Sequence, residues 1–263
     1  MKFRLSIYIL LISLNCFSQK MSFVYDVKYR LNTKKPNDVN RSLMILDIDA
    51  DQSIFREEID KKADSLQQNN KKGMYPNGVE NQFYVKKNLK KSEIQKIITN
   101  STINYLLPID DKLEWKILSD QKNIGKYKSQ KAETSYGGRI WNAWFTTELP
   151  FSDGPYIFNG LPGLIISISD SNNDYSFELI EVKKLDKLFD VRSKLIKIDW
   201  KKYDYIARSY FNDPLDVNSK IGKTVTFTDA QGKKVEISDV NKSMQETILN
   251  DNNPLELNHK VNY

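Results

Sequence analysis

A chain of 263 residues, 40% hydrophobic and 11% aromatic, is long enough to bury a core and too apolar to stay disordered. Its formal charge of +6 arises from 40 basic and 34 acidic residues that are interleaved, as in Lys61-Lys62-Ala63-Asp64; this reads as a solvated mixed surface and argues against nucleic-acid binding. With one histidine and one cysteine, the chain lacks the parts of a Cys–His pair, a Ser–His–Asp triad and a multi-histidine zinc site.

Residues 1–18, MKFRLSIYILLISLNCFS, read as an export signal. Lys2 and Arg4 form its positive start, residues 5–14 its apolar middle, and cleavage falls between Ser18 and Gln19. The apolar run is well short of the roughly 20 residues that a membrane span needs. Asn15 stands where a lipoprotein signal has a small residue before Cys16, so lipidation is not expected. Cleavage removes the single cysteine and lowers the formal charge by two. Residues 19–263 read as one domain.

In residues 21–31, Phe23, Tyr25, Val27 and Tyr29 share one face while Asp26, Lys28 and Arg30 share the other, which predicts a half-buried strand. SLMILDI at 42–48 predicts a second, more central strand. The spacing of Ile54, Phe55, Ile59, Ala63 and Leu66 predicts a helix over 53–70, followed by a polar Gly/Pro loop. Extended runs follow at 82–86, 101–107, 113–118, 127–135, 139–147, 163–169 and 175–182, with turn signals such as Gly137-Gly138 between them. A charged helix is predicted over 199–210, and a last hairpin pairs 224–228 with 233–237. A short helix over 238–249 takes Asp239 as its N-cap candidate. His259 falls near the chain end, where residues are frayed or docked on the surface. The resulting fold class is mainly β within α+β: a large curved antiparallel meander sheet with one or two peripheral helices.

The motifs of cofactor chemistry are missing. No G-x-G-x-x-G follows a strand and no G-x-x-x-x-G-K-[ST] occurs, so no cofactor is expected. Carboxylate-pair hydrolysis survives, because it needs only Asp and Glu held about 5 to 10 Å apart, although no pair stands out. Asp47, Asp49, Asp51 and Glu58 match much of a calcium loop, but Gln52 replaces the glycine of its sharp turn and a strand-like run precedes it. A solvated strand exit without metal is the expectation. Asp170-x-Asn172-x-Asp174 reads as a hairpin turn.

The central stretch, 126–148, turns at Tyr136-Gly137-Gly138-Arg139. On its second strand Trp141, Ala143 and Phe145 point one way and Ile140, Asn142, Trp144 and Thr146 the other, so both faces are covered or one forms a concave binding wall. Lys131 and Arg139 would reach an anionic ligand, with Glu148 as counter-charge. The candidate ligand-binding set is therefore Lys131, Arg139, Trp141, Trp144 and Glu148. Cross-strand ion pairs and core aromatics would use the same residue types. In FNGLPGLIISIS, Pro162 presets φ and Gly163 accepts a positive φ, which predicts a type II turn over 161–164 that feeds an apolar strand. Gly160, Pro162 and Gly163 are the structural candidates.

WKILSDQKNIGKYKSQKA, followed by GGRIWNAWFTTELPFSDGPYIFNGLPGLIISISD, resembles the GLPGLI family of exported proteins from Bacteroidetes-type bacteria. The hexapeptide 160–165 is that family's naming motif. Lys131-Ala132, Gly138-Arg139, Ala143-Trp144-Phe145 and Gly154-Pro155 fall where its pattern has them, and Asn253-Pro254-Leu255-Glu256-Leu257 is similar to its tail. The resemblance implies export and a single domain, and it brings no activity or catalytic residue. The expectation is an exported, non-catalytic envelope protein, periplasmic or surface-facing. It would bind a ligand, or an outer-membrane or envelope protein, on its curved sheet, with no nucleic-acid partner and no transmembrane segment after cleavage. A carboxylate-based hydrolase of glycan or peptide and a structural accessory of an outer-membrane complex stay open as alternatives.

Overall fold

A computed structural model describes residues 20–71, 73, 75, 78–100, 102–215 and 227–263. The predicted export signal with Cys16, and residues 224–226 of the predicted last hairpin, lie outside the described residues. The first meander comprises β1 (Met21–Tyr29), β2 (Asn40–Asp49), β3 (Gln52–Glu57), β4 (Val85–Asn88), β5 (Glu93–Asn100) and β6 (Ile103–Pro108). The second comprises β7 (Lys116–Ile124), β8 (Tyr127–Tyr136), β9 (Arg139–Thr146), β10 (Leu164–Asp170) and β11 (Tyr175–Lys184). Each meander runs in chain order, and antiparallel pairing of β1 with β11 fuses them into one twelve-stranded sheet. Two-residue β12 (Ile196–Lys197) covers β6 in parallel. The expected mainly β architecture is found, with three α-helices among the described residues: α1 (Glu58–Gln68), α2 (Trp200–Asn212) and α3 (Ile237–Asn250).

The topology itself demands curvature. β6 and β7 lie ten positions apart in the sheet, which would separate them by roughly 48 Å if it were flat. The chain crosses between them from Pro108 to Lys116, a link that reaches at most about 28 Å. The two edges must therefore approach each other, although the sheet does not close. Register shifts at Val24/Tyr25 between β1 and β11, and at Ile165/Ser167 between β10 and β9, supply local bends.

The concave face carries Phe23, Tyr25, Leu46, Phe55, Trp141 and Phe177, all fully buried. The segment between β9 and β10 fills it with Tyr156, Ile157, Phe158 and Leu161, and the chain end adds Leu255 and Val261. On the convex face, α1 and residues 185–195 cover the first meander. Ile54, Tyr84 and Ile97 form a second cluster there, packed by Leu188 and Leu195.

Several local expectations change. Residues 53–57 belong to β3, not to a helix. A two-residue turn at Ala50-Asp51, with Ala50 at φ +54°, pairs Asp49 with Gln52. Consecutive Ile54 and Phe55 then enter opposite clusters, as strand alternation requires. β5, absent from the predicted runs, is hidden because buried Lys96 breaks its apolar pattern. α2 starts as expected, with the Asp199 side chain accepting from Lys202 N at 2.7 Å. Glu236 rather than Asp239 occupies the N-cap position of α3, without a side-chain capping bond.

The turn at Pro162 is also tighter than type II. Gly163 N donates to Leu161 O at 2.8 Å, an i to i+2 bond, while Leu164 N donates to Leu149 O. Gly163 is obligatory for another reason: a Cβ there would lie 2.1 Å from Thr146 O. Gly160, at φ +94°, begins this approach beside Trp115.

Candidate functional site

The predicted ligand set divides between the interior and the outside of the sheet. Trp141 is fully buried, with its ring 4.6 Å from that of Phe158 and its Nε1 donating to Tyr136 O. Arg139 is buried too. Its guanidinium donates to Asp170, Asp174 and Asn253 and to the carbonyls of Pro254 and Leu255, over the Tyr175 ring. These two residues build the fold: Trp141 is a core ring and Arg139 clamps the chain end to the sheet, which corrects the expectation that they meet a ligand.

Lys131 and Trp144 are cross-strand partners on the convex face. Lys131 pairs with Glu133 at 2.9 Å, and Lys122 lies 4.0 Å from the Trp144 ring centre. Glu148, just past β9, accepts from Lys128 N at the start of β8. The five residues therefore do not converge on one site.

The calcium-like run is split in the same way. Asp47 is buried, bonded to Ser22 and paired with Arg56 and Lys61. Asp49 pairs with Lys20, Glu58 with Lys62, and Asp51 sits in the β2–β3 turn. Asp170 and Asp174 flank a hairpin turn as expected, and both reach back to Arg139. His259 stacks on Trp200 at 3.8 Å, so the chain end is docked.

The described residues form surface clefts, among them three near elements already named. One of about 450 Å³ opens at the rim of the concave face, between the β7–β8 turn and the paired bulges of β10 and β11. Ile124, Tyr127, Ile166, Leu179, Ile180 and Val182 line it, with Lys126 and Glu181 as its charged members. Ile166 is an extra residue of the β10 bulge, and Ile180 stands opposite the register shift of β1. The bulges thus turn apolar side chains out of the regular alternation and into the cleft. Sequence reasoning missed this site, because a bulge leaves no local signature in residues that read as ordinary strand.

A second cleft, of about 280 Å³, joins the β4–β5 turn to Trp115 and Gly160. Trp115 is held there by donating Nε1 to Asn159 O at 2.8 Å.

The third, of about 250 Å³, lies beside α3 and carries Glu80 and Asp251 near Tyr210 and Met244. Burial, opposed by the Tyr263 hydrogen bond and reinforced by Asp251, pushes the Glu80 carboxyl up to about 7. Burial likewise raises Asp251, against the hydrogen bond from Asn81.

Most buried carboxylates instead have cationic partners. Asp64 accepts from Arg56 and Arg192, and Asp60 from Arg192. Glu256 pairs with Lys96 at 3.1 Å and accepts from Tyr136 and Tyr156. Burial works to raise the Glu256 carboxyl, but Lys96 and the two hydroxyls outweigh it and hold it below the usual carboxylate range.

Residues 136–167, from the β8–β9 turn through the GLPGLI hexapeptide, match the model of a family described as a protein of unknown function, Porph_ging. No curated protein matches the chain. Its fold is similar to that of PNGF-II, solved in two crystal forms. In the P21 form the TM-score is 0.54 at 21% identity, over 72% of this chain and 34% of that one. In the C2 form it is 0.54 at 20% identity, over 81% and 36%. The chain spans about a third of the PNGF-II chains it matches, and likeness at this identity concerns the fold alone. Among the described residues, no helix is long and apolar enough to cross a membrane.

Proposed function

We propose that this is an exported, non-catalytic envelope protein that binds the apolar part of an amphiphilic ligand or partner at the rim of its curved sheet. The carrying observation is the 450 Å³ cleft between the β7–β8 turn and the two bulges. It falls within the usual size range of ligand sites, and apolar side chains line it beside one ammonium and one carboxylate. An acyl chain or a hydrophobic side chain fits that lining, and Lys126 is placed to meet an anionic head group. Export rests on the residues of the N-terminal signal. The cationic partners of most buried acids favour a binding role, since a general acid needs a carboxyl that keeps its proton.

Incubation of the folded protein with an envelope lipid extract, followed by repurification and mass spectrometry, tests this reading. About one bound amphiphile per chain is expected. An empty protein would contradict it.

A second reading, hydrolysis of glycan or peptide by carboxylates, is favoured by the protonated character of Glu80 beside Asp251 in an open cleft. Turnover of a glycan or peptide panel that Glu80→Gln abolishes would establish it in place of the binding role.

A further inference from the structure

Lys87 of β4 and Asp153 of the segment between β9 and β10 face each other inside the concave core. Both side chains are completely buried, and Lys87 Nζ is in direct contact with Asp153 Oδ1. The two carboxylate oxygens differ sharply. Oδ1 also accepts from Gly154 N at 2.8 Å, whereas Oδ2 is buried with no hydrogen-bond partner. Lys87 Nζ donates to Gly154 O at 2.7 Å, which fixes the amine against the carboxyl. The backbone beside the pair is tightly packed: a Cβ on Gly154 would lie 2.8 Å from the Ile165 side chain and 3.0 Å from Phe158 O. A buried ion pair with an orphaned oxygen is poorly compensated for desolvation.

We propose that Lys87 and Asp153 condense to an intramolecular isopeptide bond that fastens the segment carrying the GLPGLI turn to β4. The Nζ–Cγ bond forms and the Cγ–Oδ2 bond breaks. Of the three ammonium protons, one stays on the amide nitrogen and two leave with Oδ2 as water, so charge and atoms balance without an external reagent. The Gly154 N–H is already aimed at Oδ1, where negative charge collects in the tetrahedral intermediate. The remaining amide N–H can keep its bond to Gly154 O. The orphaned oxygen is the atom that departs, so the product leaves every polar atom of the pair satisfied. Complete burial also favours attack, because it lowers the Lys87 pKa against the pull of Asp153 and makes the free amine more accessible. This inference is independent of the rim cleft.

Intact-mass measurement of the natively folded mature chain, repeated after prolonged incubation, tests it. The expected mass is one water below the sequence mass, with a branched tryptic peptide joining Lys87 to Asp153. Cyclisation of an N-terminal Gln19 would remove ammonia instead. A succinimide at Asp153-Gly154 would also remove one water, but it leaves no branched peptide and opens in hydroxylamine. Lys87→Met and Asp153→Ala should each abolish the branched peptide. Should either variant fail to fold, the wild-type peptide map decides alone. A wild-type chain at full sequence mass, or a water loss that maps to another site or survives in Lys87→Met, would overturn the proposal.

Discussion

At the residue scale, Gly163 and Glu80 show two ways in which one position constrains the whole. Gly163 lets the β10 entry pass against the end of β9, and a Cβ would overlap backbone atoms of Thr146 that cannot swing aside. Gly163→Ala should therefore cost about 3 kcal/mol or more, read as a fall in denaturation midpoint. Glu80 bears on pH. Its carboxyl is raised from an ordinary 4.5 to about 7 in the fold, so the folded state binds its proton more tightly than the unfolded state. The associated stability is complete below about 4.5 and is lost as pH rises through about 7, an effect of about 3 kcal/mol. Glu80→Gln should remain stable across that window where the wild type weakens, as thermal melts at a series of pH values would show. Parallel losses in both proteins would remove Glu80 as the cause.

At the element scale, the buried cations show why some strands were legible in the sequence and others were not. β1 and the β8–β9 hairpin read correctly, because their apolar residues alternate and Gly137-Gly138 marks the turn. α2 was legible as a charged helical run, and Asp199 caps its start. β3, the end of β4 and β5 were not, because Arg56, Lys87 and Lys96 respectively are fully or nearly fully buried among apolar neighbours. Their countercharges lie on other elements: Asp64 on α1, Asp153 before β10, and Glu256 at the chain end. Polar positions satisfied by distant partners look like surface in a local window. The same logic misled the site reading, since Arg139 and Trp141 have the residue types of a binding wall but serve the interior. Arg56 offers a direct check. Arg56→Met strands Asp47 and Asp64 without this partner, and urea denaturation should show a loss of about 3 to 5 kcal/mol. An unchanged midpoint would mean that Lys61 and Arg192 suffice to neutralise the two acids.

At the scale of the whole molecule, the first and last strands fuse two meanders, and the chain end locks the result. Asn253 N donates to Leu31 O, its side chain donates to Arg30 O, and its carbonyl accepts from Tyr175. Glu256 meets Lys96 of β5 in the first meander. Truncation after Asn252 should accordingly abolish cooperative thermal unfolding, and a sharp transition in the truncated protein would refute that role. With the interior filled by the β9–β10 segment and this tail, the proposed function places recognition at the rim. The most direct test of that claim is titration of a fluorescent acyl-chain probe into the wild type and Ile180→Lys side by side. Ile180 lines the cleft yet is 56% exposed, so its replacement should spare the fold. The wild type should bind saturably and the variant at least about tenfold more weakly, at an unchanged melting temperature. Equal binding by the two proteins, or none by the wild type, would contradict the account.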